Sequence, residues 1–115
     1  MTVTVWHNPK CATSRKVLGI IRAAGIEPSI VEYVKAPPSV AVIKAALKAM
    51  GMSPRDLLRR RGTPYDSLGL DDPELTDAAL IAAMHDEPIL IERPVVLSPK
   101  GARLCRPPER VLEIL

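Results

Sequence analysis

Over Thr2-Val3-Thr4-Val5-Trp6 apolar and polar residues alternate, the pattern of a half-buried strand. The period then changes: after a polar stretch, Val17, Leu18, Ile21 and Ala24 recur at helical spacing, and Gly25 suits the helix stop. Ser29-Ile30-Val31-Glu32-Tyr33 returns to strand composition. The opening of the chain therefore predicts a βαβ unit whose strands run parallel, since a crossover helix joins them. Lys35-Ala36-Pro37-Pro38 interrupts, and Ser39 predicts the N-cap of a helix with Val40, Ile43, Leu47 and Met50 as its stripe and Gly51 as its stop. Ser53-Pro54 starts a short helix with Asp56 near its third position, carrying Leu57 and Leu58 inward and placing Arg59 at its C-terminal end. Residues 63–69 read as a loop, and Thr76 caps a helix with Leu80, Ile81 and Met84 on its inner face. Ile89-Leu90-Ile91 is an apolar run that periodicity does not assign. Beyond Glu92-Arg93-Pro94, Val95-Val96-Leu97 and Ala102-Arg103-Leu104-Cys105 flank Ser98-Pro99-Lys100-Gly101, which suits a type I turn and predicts an antiparallel hairpin. Pro107-Pro108 opens a last helix with Pro108, Val111, Leu112 and Leu115 on one side.

This order predicts an α/β protein: a small mixed four-stranded sheet (β-α-β, helical insert, β-hairpin-α) flanked by helices. At 115 residues the expectation is a single domain spanning 1–115. Apolar residues make up 47%, enough for a packed core despite 12 prolines, which sit mostly at joints. Phe is absent and aromatics reach only 3%, so the core must be built from Val, Ile, Leu, Ala and Met, and a base-stacking nucleic-acid module is disfavoured. Sixteen Lys and Arg against thirteen Asp and Glu leave a net charge of +3, a modest excess that fits small anionic substrates as well as it fits nucleic acid. No stretch is long enough to span a bilayer, and the N-terminus lacks the charged n-region of a signal peptide. Two cysteines without secretory context point to a reducing cytoplasm.

Candidate chemistry concentrates in His7-Asn8-Pro9-Lys10-Cys11-Ala12-Thr13-Ser14-Arg15, between the first strand and the first helix. A thiol at a helix N-terminus meets unpaired N–H groups and the positive end of the dipole, which favour its thiolate and invite an oxyanion. His7, Lys10 and Arg15 are expected to push the same way. The alternative, a cysteine that merely fills a core, fits poorly with such polar and cationic neighbours. Ser14 stands where a CxxC motif would place its second thiol, so external thiols must complete any redox cycle.

His7-Asn8-Pro9 with Cys11 and Thr13-Ser14-Arg15, Leu57-Leu58-Arg59, Pro88-Ile89-Leu90-Ile91 with Arg93-Pro94, and Gly101 through Arg103-Leu104-Cys105-Arg106-Pro107 together resemble the glutaredoxin-dependent arsenate reductases, over essentially the whole chain. The resemblance implies a thioredoxin-like fold and reduction of arsenate to arsenite. In that scheme Cys11 is the nucleophile, Arg59, Arg93 and Arg106 hold the oxyanion, and His7, Asn8, Ser14, Arg15 and Pro94 line the substrate site, Pro94 as a cis-proline. It also implies glutathione as co-substrate, glutaredoxin as partner, and no metal or bound cofactor. Guanidinium forks suit a tetrahedral oxyanion through paired charge-assisted bonds. Arg60, Arg61, Arg103 and Arg110 are expected outside the site, and Cys105 as a structural residue. One departure is visible: the well-characterised reductases continue with a polar C-terminal tail where this chain stops. Two other readings stay open at this level: a glutathione-dependent thiol reductase of the same fold, and a redox-responsive regulator that binds RNA polymerase, against which Ser14 speaks.

Overall fold

A computed structural model describes residues 2–115. The described chain forms two compact units, one from residues 2–36 and 93–115, the other from 37–92.

The first unit holds the whole sheet. β1 (Thr4–Trp6) pairs in parallel with β2 (Ser29–Val31), the two being joined through α1 (Ala12–Ala23). On its other edge β1 pairs antiparallel with β3 (Val95–Ser98), which pairs antiparallel with β4 (Gly101–Leu104), giving the order β2-β1-β3-β4. The βαβ unit and the hairpin thus follow the hydrophobic pattern. β1 and β2 are shorter than their expected runs, β3 extends one residue further to Ser98, and β4 is shifted one residue earlier; β2 ends at Val31, although Tyr33 beyond it is fully buried.

Side chains of alternate strand residues share a face, so Val3 and Val5 point the same way, and Val96, opposite Val5, joins them. With Val17, Leu18 and Ile21 of α1, and Val111, Ile114 and Cys105, they form one buried cluster. At about 1.5–3 kcal/mol per fully buried Val, Leu or Ile side chain, this layer holds α1 on the sheet. Gly25, at φ 82°, adopts the left-handed turn that ends α1, and its N–H reaches the carbonyl of Arg22 at 2.9 Å.

The closing segment departs from the expected α-helix. Residues Pro108–Ile114 form a 3₁₀ helix, and its three-residue period puts Val111 and Ile114 in the core while Leu112 is exposed.

In the second unit, α2 (Val40–Met50) starts at Ser39, whose hydroxyl accepts from the Val42 N–H at 3.2 Å, and stops at Gly51 in the left-handed conformation. Its buried stripe is Ile43, Ala46 and Leu47, whereas Val40, expected in that stripe, is exposed. α3 (Pro54–Leu57) carries the capping arrangement read at Ser53-Pro54: the Asp56 carboxylate accepts from the Ser53 N–H at 3.2 Å and from its hydroxyl at 3.0 Å. Leu57 is buried, whereas Leu58 is half-exposed, having left the helix for an extended bridge to Ile91. α4 (Asp77–Asp86), capped by Thr76, buries Leu80, Ile81 and Met84 as expected and packs on α2 and α3. The unassigned run at 89–91 is a 3₁₀ turn (Pro88–Leu90) followed by that bridge. Among the described residues, no helix is long and apolar enough to cross a membrane.

Candidate active site

The loop between β1 and α1 is fixed by its own polar groups. The Asn8 carbonyl accepts from the Cys11 N–H at 3.0 Å, and its side-chain oxygen accepts from the Lys10 N–H at 3.0 Å. Arg15 donates from Nη1 to the Pro9 carbonyl at 2.8 Å, so this guanidinium staples the loop. Ser14, fully buried, accepts the Asn8 N–H on its hydroxyl at 3.1 Å, and the same hydroxyl lies 2.6 Å from His7 Nδ1. Burial pulls the His7 pKa below its ordinary value, so the imidazole is neutral at neutral pH. His7 thus acts on the loop through Ser14, where a cationic contribution was expected.

Cys11 is the N-cap of α1, with extended backbone (φ −96°, ψ 121°), and is partly exposed. Two opposing influences act on its thiol. Desolvation raises the pKa and is the largest single effect; the backbone N–H groups of Ser14 and Thr13 and the Arg106 guanidinium lower it, and together they prevail. The sulfur makes no side-chain cap hydrogen bond of the kind Ser39 makes, so the N–H groups act as oriented dipoles on a large, soft acceptor. It is therefore the backbone of Ser14 that favours the thiolate, its hydroxyl being engaged with His7 and Asn8. Thr13, to which the sequence assigned nothing individual, contributes in the same way. The signal was available: an N-cap side chain faces the N–H groups two and three residues on.

Arg106 comes from the segment after β4. Its Nη1 lies 4.0 Å from Cys11 Sγ and donates to the Arg93 carbonyl at 3.1 Å. Arg93, immediately before β3, is a buried arginine, 6% exposed, with Nε and Nη1 shielded from solvent. The bond from Arg93 to Pro94 is cis, as is that from Arg106 to Pro107. Pro94 is buried, and its carbonyl accepts the Cys105 N–H at 2.9 Å, which ties the two segments carrying Arg93 and Arg106 together. One unit thus gathers Cys11, Arg93 and Arg106 with His7, Asn8, Ser14, Arg15 and Pro94. Arg59 belongs to the other unit, where its Nη1 donates to Glu92 Oε1 at 2.8 Å.

Arg60 and Arg103 are engaged elsewhere. Arg60 pairs with Asp66 at 2.6 Å and lies over the Tyr65 ring, and Arg103 pairs with Glu113 at 2.9 Å. Cys105 is fully buried in the first unit's core, and burial pushes its thiol up to about 12. Among the described residues no group of three or more His, Cys, Asp or Glu is placed to hold a metal ion.

A single activated cysteine at a helix N-terminus, with the Arg106 guanidinium beside it and no second thiol at CxxC spacing, defines a thiolate site on a thioredoxin-like fold. The chain belongs to the ArsC family, whose model matches residues 6–114 and so runs across both units. It is 55% identical over 115 residues to an arsenate reductase of Rhizobium meliloti, covering 100% of this chain and 82% of that protein. It is 49% identical over 113 residues to an arsenate reductase of Escherichia coli K12, covering 98% and 80%. The solved structure of an arsenate reductase from Vibrio cholerae superposes with a TM-score of 0.96 at 43% identity, covering 100% of this chain and 98% of that one.

Proposed function

We propose that this protein is an arsenate reductase, converting arsenate to arsenite with Cys11 as nucleophile and glutathione and glutaredoxin as the source of electrons in a reducing cytoplasm. The observation that carries the reading is the Cys11 thiol, held toward its thiolate by the α1 N–H groups and by Arg106, in a chain 55% identical to a protein named for this reaction.

In the reaction, the Cys11 thiolate attacks arsenic, an arsenate oxygen leaves as water after protonation, and a sulfur–arsenic bond forms with arsenic still As(V). Glutathione then displaces a second arsenic oxygen as water, forming a second sulfur–arsenic bond; the glutaredoxin thiolate attacks the glutathione sulfur, releasing a glutathione–glutaredoxin disulfide and leaving the electron pair on arsenic as As(III). Water then hydrolyses the Cys11 sulfur–arsenic bond, so arsenite leaves and the Cys11 thiol is restored. Arg106 favours the thiolate, and Arg93 and Arg106 hold the oxyanion and stabilise charge on the departing oxygen. Arg59 is proposed as a third oxyanion arginine on the strength of the family pattern at Leu57-Leu58-Arg59. His7, Asn8, Ser14 and Arg15 hold the loop, and Pro94 holds the backbone beside Arg93.

The test is arsenite formation from arsenate with glutathione and glutaredoxin present, then each omitted in turn. The expected result is turnover that needs both thiols. Turnover of a glutathione mixed disulfide with no arsenite formed would overturn the reading in favour of a thiol reductase.

A further inference from the structure

The segment after α3 is not free to place Arg59 arbitrarily. The Arg59 N–H donates to the Leu90 carbonyl at 2.7 Å and the Glu92 N–H to the Leu57 carbonyl at 2.8 Å, with Leu58 opposite Ile91. In this antiparallel register Leu58 and Ile91 share one face, so Arg59 and Glu92 stand on the other, as diagonal neighbours within reach of long side chains. There Arg59 Nη1 donates to Glu92 Oε1 at 2.8 Å, with the side chains 25% and 21% exposed, while Arg59 Nε donates to the Arg61 carbonyl at 3.0 Å. Two of the five guanidinium N–H groups are thereby anchored at different nitrogens, which fixes the plane of the fork.

We propose that Glu92 is a positioning residue for Arg59: its carboxylate fixes the guanidinium so that the remaining N–H groups meet the arsenate oxygens already oriented. This rests on the reading above that Arg59 serves the oxyanion. An unanchored arginine would have to give up rotamer freedom each time substrate bound, weakening affinity. The neighbouring Arg60–Asp66 pair shows the contrast: it is shorter, at 2.6 Å, but its side chains are 63% and 68% exposed, the setting in which an ion pair holds geometry weakly.

The experiment measures arsenate KM and kcat for Glu92→Ala, Glu92→Asp and Glu92→Gln, each alone and combined with Arg59→Ala. Loss of the anchor in Glu92→Ala is expected to raise arsenate KM roughly tenfold, the effect of one charge-assisted hydrogen bond, with kcat changing much less. Gln keeps an acceptor at the same reach and restores KM to within about threefold of wild type, whereas Asp, withdrawn by one methylene, raises it several-fold and serves where the Ala variant fails to fold. In the Arg59→Ala background all three changes should vanish, and Asp66→Ala should leave KM unchanged. A KM rise that persists without Arg59, or none in any Glu92 variant while Arg59→Ala itself impairs arsenate use, would overturn the positioning role alone. No effect of Arg59→Ala would overturn the assignment of Arg59 and the inference with it.

Discussion

Cys11 and Cys105 are the same side chain in two environments of one unit. Cys11 ends a polar loop and caps a helix; Cys105 follows β4 into a core of Val3, Val5, Val17, Val96 and Ile114. Burial raises the pKa of both. At Cys11 the N–H groups of Ser14 and Thr13 and the Arg106 guanidinium outweigh it. At Cys105 burial dominates, the attraction of Arg110 and Arg103 is opposed in part by Glu113, and the thiol stands at about 12. Nearby cations alone therefore do not make a reactive cysteine. What separates the two is oriented N–H groups at a helix start, which keep their dipoles aimed at the sulfur without needing to be drawn out of water.

The widest separation between the two sites is expected from mutation. Cys11→Ser abolishes arsenite formation, and Cys105→Ser retains most of it, as measured by steady-state turnover. Comparable loss in both would break the single-cysteine account and point to an internal disulfide. Next in size, Arg106→Ala or Arg93→Ala should each cost on the order of 2–4 kcal/mol of transition-state stabilisation, a loss of roughly 30- to 1000-fold in kcat/KM. Arg106→Lys should recover only part, since it keeps the charge and loses the fork. Arg103→Ala, near Cys105 and paired with Glu113, should change kcat/KM little. Equal, mild effects at Arg93, Arg106 and Arg103 would reduce the site to a basic surface around a thiol.

A smaller effect belongs to Cys105 and appears in stability. Its folded pKa is raised, so the proton is held longer in the folded chain than in the unfolded one. The contribution is fully present below the unfolded thiol value of about 8.5 and is lost as pH rises from there toward about 12, because the unfolded chain deprotonates first. Denaturant unfolding should therefore show wild type losing stability faster than Cys105→Ala over that interval. Parallel slopes would mean that the core thiol ionises freely.

Much of this contrast is legible in the sequence. The change from strand to helical period between Trp6 and Val17 located the loop and put Cys11 at a helix start, because two incompatible repeats leave only a short joint between them. Ser39, Ser53 and Thr76 announced their helices because capping is local chemistry. Arg93 and Arg106 could be connected with Cys11 only through resemblance, since their convergence depends on the hairpin that returns the chain to β1. Glu92 was invisible as a partner of Arg59, 33 residues away, because nothing in either segment specifies the bridge between them. The final segment was misread for a different reason. Val111 and Ile114 are three apart, a spacing shared by α- and 3₁₀-helices, and the choice between them decided whether Leu112 faced the core or water.

The central claim, that Cys11 is held toward its thiolate by backbone dipoles and Arg106, is tested most directly by titrating that thiol. In the Cys105→Ser protein, the rate of iodoacetamide alkylation measured against pH reports Cys11 alone. The midpoint is expected below the free-thiol value of about 8.5 and moves upward in Arg106→Ala. A midpoint at or above about 8.5 in the protein that retains Arg106 would contradict it, and would show that desolvation prevails at Cys11 as it does at Cys105.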